Sequence, residues 1–329
     1  MAEMALPHRS LSRMKTPVVF LVFNRPEPTR RVFERIRQAR PPQLLVVCDG
    51  PRAHIPGDAE RVAQARAIIT QGVDWPCEVL TNYAEANMGC RERVNSGLDW
   101  AFSVVEEAII LEDDCLPGSS FFRYCETLLE RYRDEPRIMH IGANNDQGWR
   151  RRTTRSFYFS KYNHIWGWAT WRRAWQLSDK EGACWKNPEQ RARIERLFDS
   201  PEERAYWSPI FDSLTSPETR PNTWDYSWML TCWGHGGLAT YPSVNLVENI
   251  GFSGETTHVW GSSARQIPAR SLGKLSFPRK IVRNVAADRH TFRTVFLLRA
   301  PFPKSLWNHA RILGGALKKN IFKIAKPNP

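Results

Sequence analysis

Between residues 17 and 145 five short apolar runs alternate with four longer amphipathic ones. The apolar runs are PVVFLVF (17–23), QLLVVCDG (43–50), CEVLTNY (77–83), AIILEDD (108–114) and RIMHIGANN (137–145). Their β-branched and aromatic content, with few polar interruptions, is that of strands buried on both faces. The segments between them read as helices. RRVFERIRQAR carries Val32, Phe33 and Ile36 on one side, AERVAQARAIITQ and CRERVNSGLDWAFSVV repeat the pattern, and SSFFRYCETLLERYRDEP closes at Pro136. NRPEPT (24–29) reads as a turn. Such alternation predicts an α/β chain with a mostly parallel, doubly wound central sheet flanked by helices. Right-handed crossovers then gather the carboxyl ends of the strands at one edge, where such sheets bind ligands.

Three of those ends are polar: Asn24-Arg25, Asp49-Gly50 and Glu112-Asp113-Asp114. Neither GxGxxG nor GxxxxGK[ST] occurs, which disfavours a dinucleotide-binding enzyme and a P-loop NTPase. Three adjacent acids after an apolar strand repel one another and lose hydration unless a cation intervenes. A divalent ion, Mn²⁺ or Mg²⁺, suits hard carboxylate oxygens, and Mg²⁺ sites commonly pair one or two carboxylates with substrate phosphates. In an extended segment Glu112 and Asp114 point to one side and Asp113 to the other. The competing reading is a solvated acidic turn ahead of the helix start at Ser119 and Ser120.

After residue 150 the alternation fades and tryptophan becomes dense, in NHIWGWATWRRAW (163–175) and TWDYSWMLTCWGHGG (223–237). Fourteen tryptophans suit surfaces that contact sugar faces, although core packing claims most indoles. The seven cysteines are odd in number and form no CxxC pair. That excludes a disulfide framework or a cysteine zinc site and predicts reduced thiols in a cytoplasmic compartment. The first residues lack an apolar core long enough for a signal peptide, and no apolar run approaches the roughly 20 residues of a membrane span.

The formal net charge of +13 is uneven: residues 270–329 hold 14 Lys/Arg and one acid, Asp288, so the rest of the chain is neutral. Within that tail Leu306, Ala310, Leu313, Leu317, Ile321 and Ile324 recur every three or four positions, with Lys318, Lys319, Lys323 and Lys326 off the stripe. This predicts a basic amphipathic helix over 305–326. It suits peripheral contact with the anionic inner face of a membrane, or docking on the domain. No nucleic-acid motif accompanies it, so no nucleic-acid partner is expected. The expected division is a leader (1–16), a catalytic domain (17–265, with a nucleotide-sugar half 17–150 and an acceptor half 151–265) and a basic extension (266–329).

Taken in order, VFNRPEPT, VVCDGPR, NMGCRERV, IILEDDCLPGSSFFRYC, IGANND, YFSKYNHIWGWATWRRAW, TWDYSWML and NLVENIGFSG resemble a bacterial group of nucleotide-diphospho-sugar glycosyltransferases of the GT-A fold. That group is similar in turn to N-acetylglucosaminyltransferase I. The resemblance covers about residues 16–265 and implies a DXD-type motif at the acid triplet. It implies Asp114 as metal ligand, with Glu112 and Asp113 on donor sugar and ribose. It implies Asp49 on the NH of uracil or thymine, Arg25 against base or phosphates, and Arg91 on phosphate at a helix start. Asp225, in TWDYSWM, matches the proposed catalytic base, although Tyr226 stands where the pattern has a second acid and one extra residue precedes Trp228. Asn144 would bond donor or acceptor, Trp168, with Trp166 and Trp171, would supply a sugar-stacking floor, and His258 would reach the metal or diphosphate.

The implied activity is a metal-dependent inverting transfer from a UDP- or dTDP-sugar to a hydroxyl of a surface glycan or lipid-linked saccharide. Two alternatives stand beside it. A sugar-nucleotide pyrophosphorylase would want a glycine-rich basic loop near the N-terminus, whereas NRPEPTRR has no glycine. A non-catalytic carbohydrate-binding protein would not need Glu112, Asp113, Asp114 and Asp225.

Overall fold

The computed structural model describes residues 14–148, 150–251 and 267–297. His258 and the predicted helix over 305–326 lie outside the described residues. The first half alternates as expected: β1 (Val18–Val22), α1 (Pro26–Ala39), β2 (Gln43–Cys48), α2 (Asp58–Gly72), β3 (Glu78–Tyr83), α3 (Cys90–Val104) and β4 (Glu107–Glu112). A short β5 (Cys115–Pro117), α4 (Phe121–Arg131) and β6 (Ile138–Gly142) follow. The second half holds β7 (Phe157–Ser160), β8 (Trp168–Trp171), α5 (Arg172–Trp175), α6 (Ala183–Lys186), α7 (Pro188–Leu197) and α8 (Pro201–Leu214). It ends with α9 (Asp225–Gly234), β9 (Leu238–Pro242), β10 (Val247–Asn249), α10 (Val285–Thr291) and a π-helical turn, Phe292–Leu297.

Eight strands form one sheet in the order β3-β2-β1-β4-β8-β6-β9-β7. The first four are mutually parallel, with Val18 opposite both Leu44 and Ile109. β8 enters antiparallel between β4 and β6, and β7 closes the far edge antiparallel to β9. β5 and β10 pair in a separate two-stranded ribbon. Alternate residues of each central strand feed opposite cores, as the two-residue period of a strand requires. Val18, Phe20, Leu44, Val46, Ile109 and Leu111 pack against α1, α2 and α4. Val19, Leu21, Leu45, Val47, Ala108 and Ile110 pack against α3, α5 and α9.

Two expectations are corrected. α1 begins at Pro26 rather than after NRPEPT, because a proline in the first helical turn removes only an N–H that would be unpaired anyway. The boundary at residue 265 also does not mark the end of the folded body. Ser156 and Ser276 exchange bonds, Asn284 N–H donates to the Phe159 carbonyl, and Phe292 and Leu297 join a core with Tyr162, Trp207 and Trp233. The chain over 270–285 anchors through single residues, and single anchors have no period for sequence reading to detect.

A buried ion cluster fastens that return. Lys161, wholly buried, donates from Nζ to the Leu197 carbonyl at 2.6 Å and meets Asp199 at 3.1 Å and Glu203 at 2.7 Å. Arg283 reaches Asp199 at 2.6 Å and Asp288 at 3.5 Å, and Ser160 Oγ–H donates to Asp288 at 2.6 Å. Every charge in the cluster faces an opposite one, the condition under which burying ions is tolerable.

Candidate active site

At the carboxyl edge of the parallel strands lies a cavity of about 1170 Å³. Its walls include Arg25 after β1, Asp49 after β2, the acid triplet after β4 and Asp225 at the start of α9. Gly251 after β10 and Val295 and Phe296 of the π-helical turn also line it. The topology thus gathers residues separated by up to 271 positions into one hollow.

β4 stops at Glu112, and Asp113 and Asp114 occupy the turn into β5. The strand-like alternation expected for the triplet therefore ends one residue too early to separate the two aspartates. Both face one guanidinium: Arg25 Nη2 bonds Asp113 Oδ1, and Nη1 donates to Asp114 Oδ2 at 3.0 Å. Asp113 Oδ2 also accepts the Phe23 N–H at 3.2 Å. Burial works against the Arg25 charge, yet the Asp113 and Asp114 carboxylates raise its pKa above the usual value. Burial raises the Asp113 carboxyl, with Arg25 pulling the other way. Glu112 has no such partner, and its Oε1 is buried without a hydrogen bond. Burial, then Asp114 and Asp113, with a smaller contribution from Asp225, push its carboxyl up to about 8. The triplet is a pair of carboxylates sharing one guanidinium, which offsets one of their two charges, and a third carboxyl whose charged form burial disfavours.

Hard oxygen donors are therefore present for a divalent ion, at Asp114 and at the orphaned Glu112. Among the described residues no three His, Cys, Asp or Glu side chains are arranged to hold an ion unaided. Arg25 holds Asp114 Oδ2, so an ion sharing that oxygen would compete with the guanidinium, while Oδ1 meets only the Cys115 thiol at 3.5 Å. Gly251 guards that carboxylate: a Cβ at position 251 would collide with Asp114 Oδ2.

The other predicted residues divide. Asp225 lines the cavity, accepts a bond from Thr223 Oγ1–H and occupies the first turn of α9. Asp49 also lines it, but its carboxylate accepts four bonds: from the backbone of Gly50, Met88 and Gly89 at 2.8–3.1 Å, and from Asn87 Nδ2 at 2.9 Å. It pins the turn that starts α3. Asn144 faces the cavity, donating to Asp146 at 2.9 Å while its Oδ1 is buried without a partner.

Arg91 is corrected: it bonds Glu92 and the Lys180 carbonyl and is not among the cavity residues. The start of α3 is instead met by Asn222 Oδ1, which accepts the Arg91 N–H at 3.1 Å. Trp168 is corrected as well. It is fully buried, stacked on His140 at 4.9 Å and 14° and on Trp224 at 5.5 Å and 24°. Trp171 is also core, so Trp166 is the member of the trio that reaches the cavity.

Sequence reading missed His140 and His164. His140 is buried in β6, and burial holds its pKa down to about 3, so it is neutral. The Trp228 indole can only donate, and it donates to His140 Nδ1 at 3.2 Å. The proton must then sit on Nε2, which donates to the His164 carbonyl at 2.9 Å. One neutral ring thereby fastens α9, which carries Asp225, to the loop of His164, whose side chain lines the cavity 3.4 Å from Asp146. No sequence spacing links these residues, which explains the omission.

This arrangement predicts a pH dependence. The folded pKa lies below the unfolded value of about 6.5, so the unfolded chain binds the extra proton. The His140 contribution is intact above pH 6.5 and is lost as pH falls toward 3. By pH 4.5 the loss is on the order of 3 kcal/mol. Urea unfolding of wild type and His140→Gln across this range checks it. The variant should show the shallower decline, and parallel profiles would refute the assignment.

No protein-family model and no curated protein matches the chain. Among solved structures, a UDP-glucose pyrophosphorylase complexed with UDP-glucose aligns with 72% of this chain and 93% of its own, at 9% identity and a TM-score of 0.34. A CMP:2-keto-3-deoxy-manno-octonic acid synthetase complexed with CTP aligns with 69% and 89%, at 18% identity and a TM-score of 0.35. Both scores are too low to establish a common fold or a common function.

Proposed function

We propose that the protein is a metal-dependent inverting glycosyltransferase that uses a UDP- or dTDP-sugar and a saccharide hydroxyl. The carrying observation is that Asp225 and the acid triplet line one cavity and act electrostatically on one another through Glu112. Transfer with inversion asks for two separated functions in one hollow: a carboxylate for the acceptor proton and a charge-neutralising site for the diphosphate. In the proposed step the acceptor oxygen attacks the anomeric carbon while the bond from that carbon to the diphosphate oxygen breaks. Asp225 takes the hydroxyl proton. Asp114 and Glu112 would hold Mn²⁺ or Mg²⁺, whose positive charge stabilises the departing diphosphate. Arg25, once free of Asp114, reaches the same phosphates as a planar donor. Asn144, with an unused buried acceptor, bonds a sugar hydroxyl, and Trp166 offers an aromatic face.

Calorimetric titration of UDP with and without Mn²⁺ tests this on wild type and Asp114→Ala. Binding should require the ion and fall at least about tenfold in the variant, a loss of about 1.4 kcal/mol. Metal-independent binding, or none, overturns the reading. A screen of nucleotide sugars for slow hydrolysis should release nucleoside diphosphate. Release of nucleoside triphosphate on adding pyrophosphate would point to the pyrophosphorylase instead. Gly251→Ala should displace the Asp114 carboxylate and lower kcat by about a hundredfold. Its Tm should stay near wild type, and an unchanged kcat would show that this contact is irrelevant.

A further inference from the structure

The edge of the body around β7 is strongly basic. Residues 147–165 and 267–297 hold twelve Lys/Arg and one acid, Asp288. Asp288 is buried and already meets Arg283 and Ser160, and Lys161 is consumed in the same cluster. The remaining cations have no acid within their own segments. Arg150, Arg151 and Arg155 are exposed on the loop before β7. Arg279, Lys280 and Arg293 are exposed on the returning chain. The two segments are knitted together, since Asn284 Nδ2 donates to the Arg152 carbonyl at 3.0 Å. Burial, then Arg150 and Arg152 and to a smaller extent Arg293, depress the pKa of His290, with Asp146 pulling the other way.

Apolar residues lie among these charges. Val282 is 65% exposed, the most of the large apolar side chains that stand out among the described residues. With Pro278 and Val285 it lines a shallow groove beside Arg152 and Lys280. Cations around an exposed apolar residue match a lipid headgroup layer, which offers anionic charge above an apolar boundary. Single-stranded nucleic acid would call for exposed aromatic rings among the cations, and no Phe, Trp or Tyr is among the described residues' exposed large apolar side chains. The face adjoins the cavity, because Val295 and Phe296, two and three residues beyond Arg293, line it.

We infer that this face, built from residues 150–155 and 279–293, docks the folded body on an anionic lipid bilayer with the cavity mouth beside the headgroups. The docking stands on the charge and exposure of this face and holds whichever reaction the cavity performs.

Co-sedimentation of the full chain with phosphatidylcholine vesicles, with and without phosphatidylglycerol, tests it. Wild type should bind only vesicles containing phosphatidylglycerol, and less as salt rises. A face variant (Arg150→Glu, Arg151→Glu, Arg279→Glu, Lys280→Glu) should lose on the order of a thousandfold in partition. A tail variant (Lys318→Gln, Lys319→Gln, Lys323→Gln, Lys326→Gln) should retain binding. A face variant that partitions like wild type, or equal binding to neutral vesicles, overturns the proposal. Tighter binding of soluble polyphosphate than of vesicles reassigns the face and overturns it too. Should the fourfold variant not fold, Val282→Cys carrying an environment-sensitive fluorophore decides the question. Its emission should shift to the blue on anionic vesicles, and an unshifted spectrum overturns the docking.

Discussion

Asp225→Asn is expected to lower kcat by about 10²–10⁴-fold and to leave Mn²⁺-dependent UDP binding within about twofold of wild type. The amide keeps the shape and the bond from Thr223 but cannot take the acceptor proton. The separation of the two readouts is the point. Asp225 lines the cavity from α9, whereas the proposed diphosphate site lies at the ends of β1 and β4. A loss of UDP affinity equal to the loss of kcat would place Asp225 in donor binding and remove the proposed base. Quench-flow or steady-state assays with saturating donor, alongside calorimetry, supply both numbers.

Lys161→Met is expected to destabilise the protein by about 3–5 kcal/mol, the usual consequence of leaving a buried charge without its partner. Glu203, 1% exposed, loses its ion pair and keeps only the Tyr162 hydroxyl and the Asp199 N–H. Adding Glu203→Gln should restore a substantial part of the loss, because the orphaned charge then disappears. Urea unfolding of the two variants measures this, and a single variant within 1 kcal/mol of wild type refutes it. The effect should reach the cavity. Tyr162 packs on Phe296 at a ring distance of 4.9 Å, and Phe296 is part of the cavity wall. The Lys161→Met variant should therefore show a raised acceptor KM well below its Tm.

The parallel half of the sheet was legible because β1, β2 and β4 are buried on both faces and so appear as apolar runs, whereas the edge strand β3 is only partly buried and was placed by its position in the alternation. The acid triplet was legible because three adjacent charges at the end of such a run have few structural uses. The second half resisted reading for the opposite reason. β8 is the four-residue WATW, reached from β7 with no helix between them and followed at once by the one-turn α5, and it enters the sheet antiparallel. Its tryptophan therefore reads equally as core or as a sugar platform, and Trp168 proves to be core. Arg91 shows the same limit: a helix start announces an anion site, but a side chain with five donors goes to the nearest acceptors, here Glu92 and the Lys180 carbonyl.

By itself the order of apolar and polar residues determined an α/β sheet and put Arg25, Asp49 and the triplet at one edge, since strand period and crossover hand are local properties of an L-chain. Only the tertiary structure decided that Arg25 bridges Asp113 and Asp114, that Asp225 joins them around one cavity, and that Val295 and Phe296 line that cavity while the chain around them displays a basic face. Those pairings join segments roughly 90 to 270 residues apart. Contacts at such separations leave no periodicity along the chain and exist only once the core has fixed where each backbone segment lies.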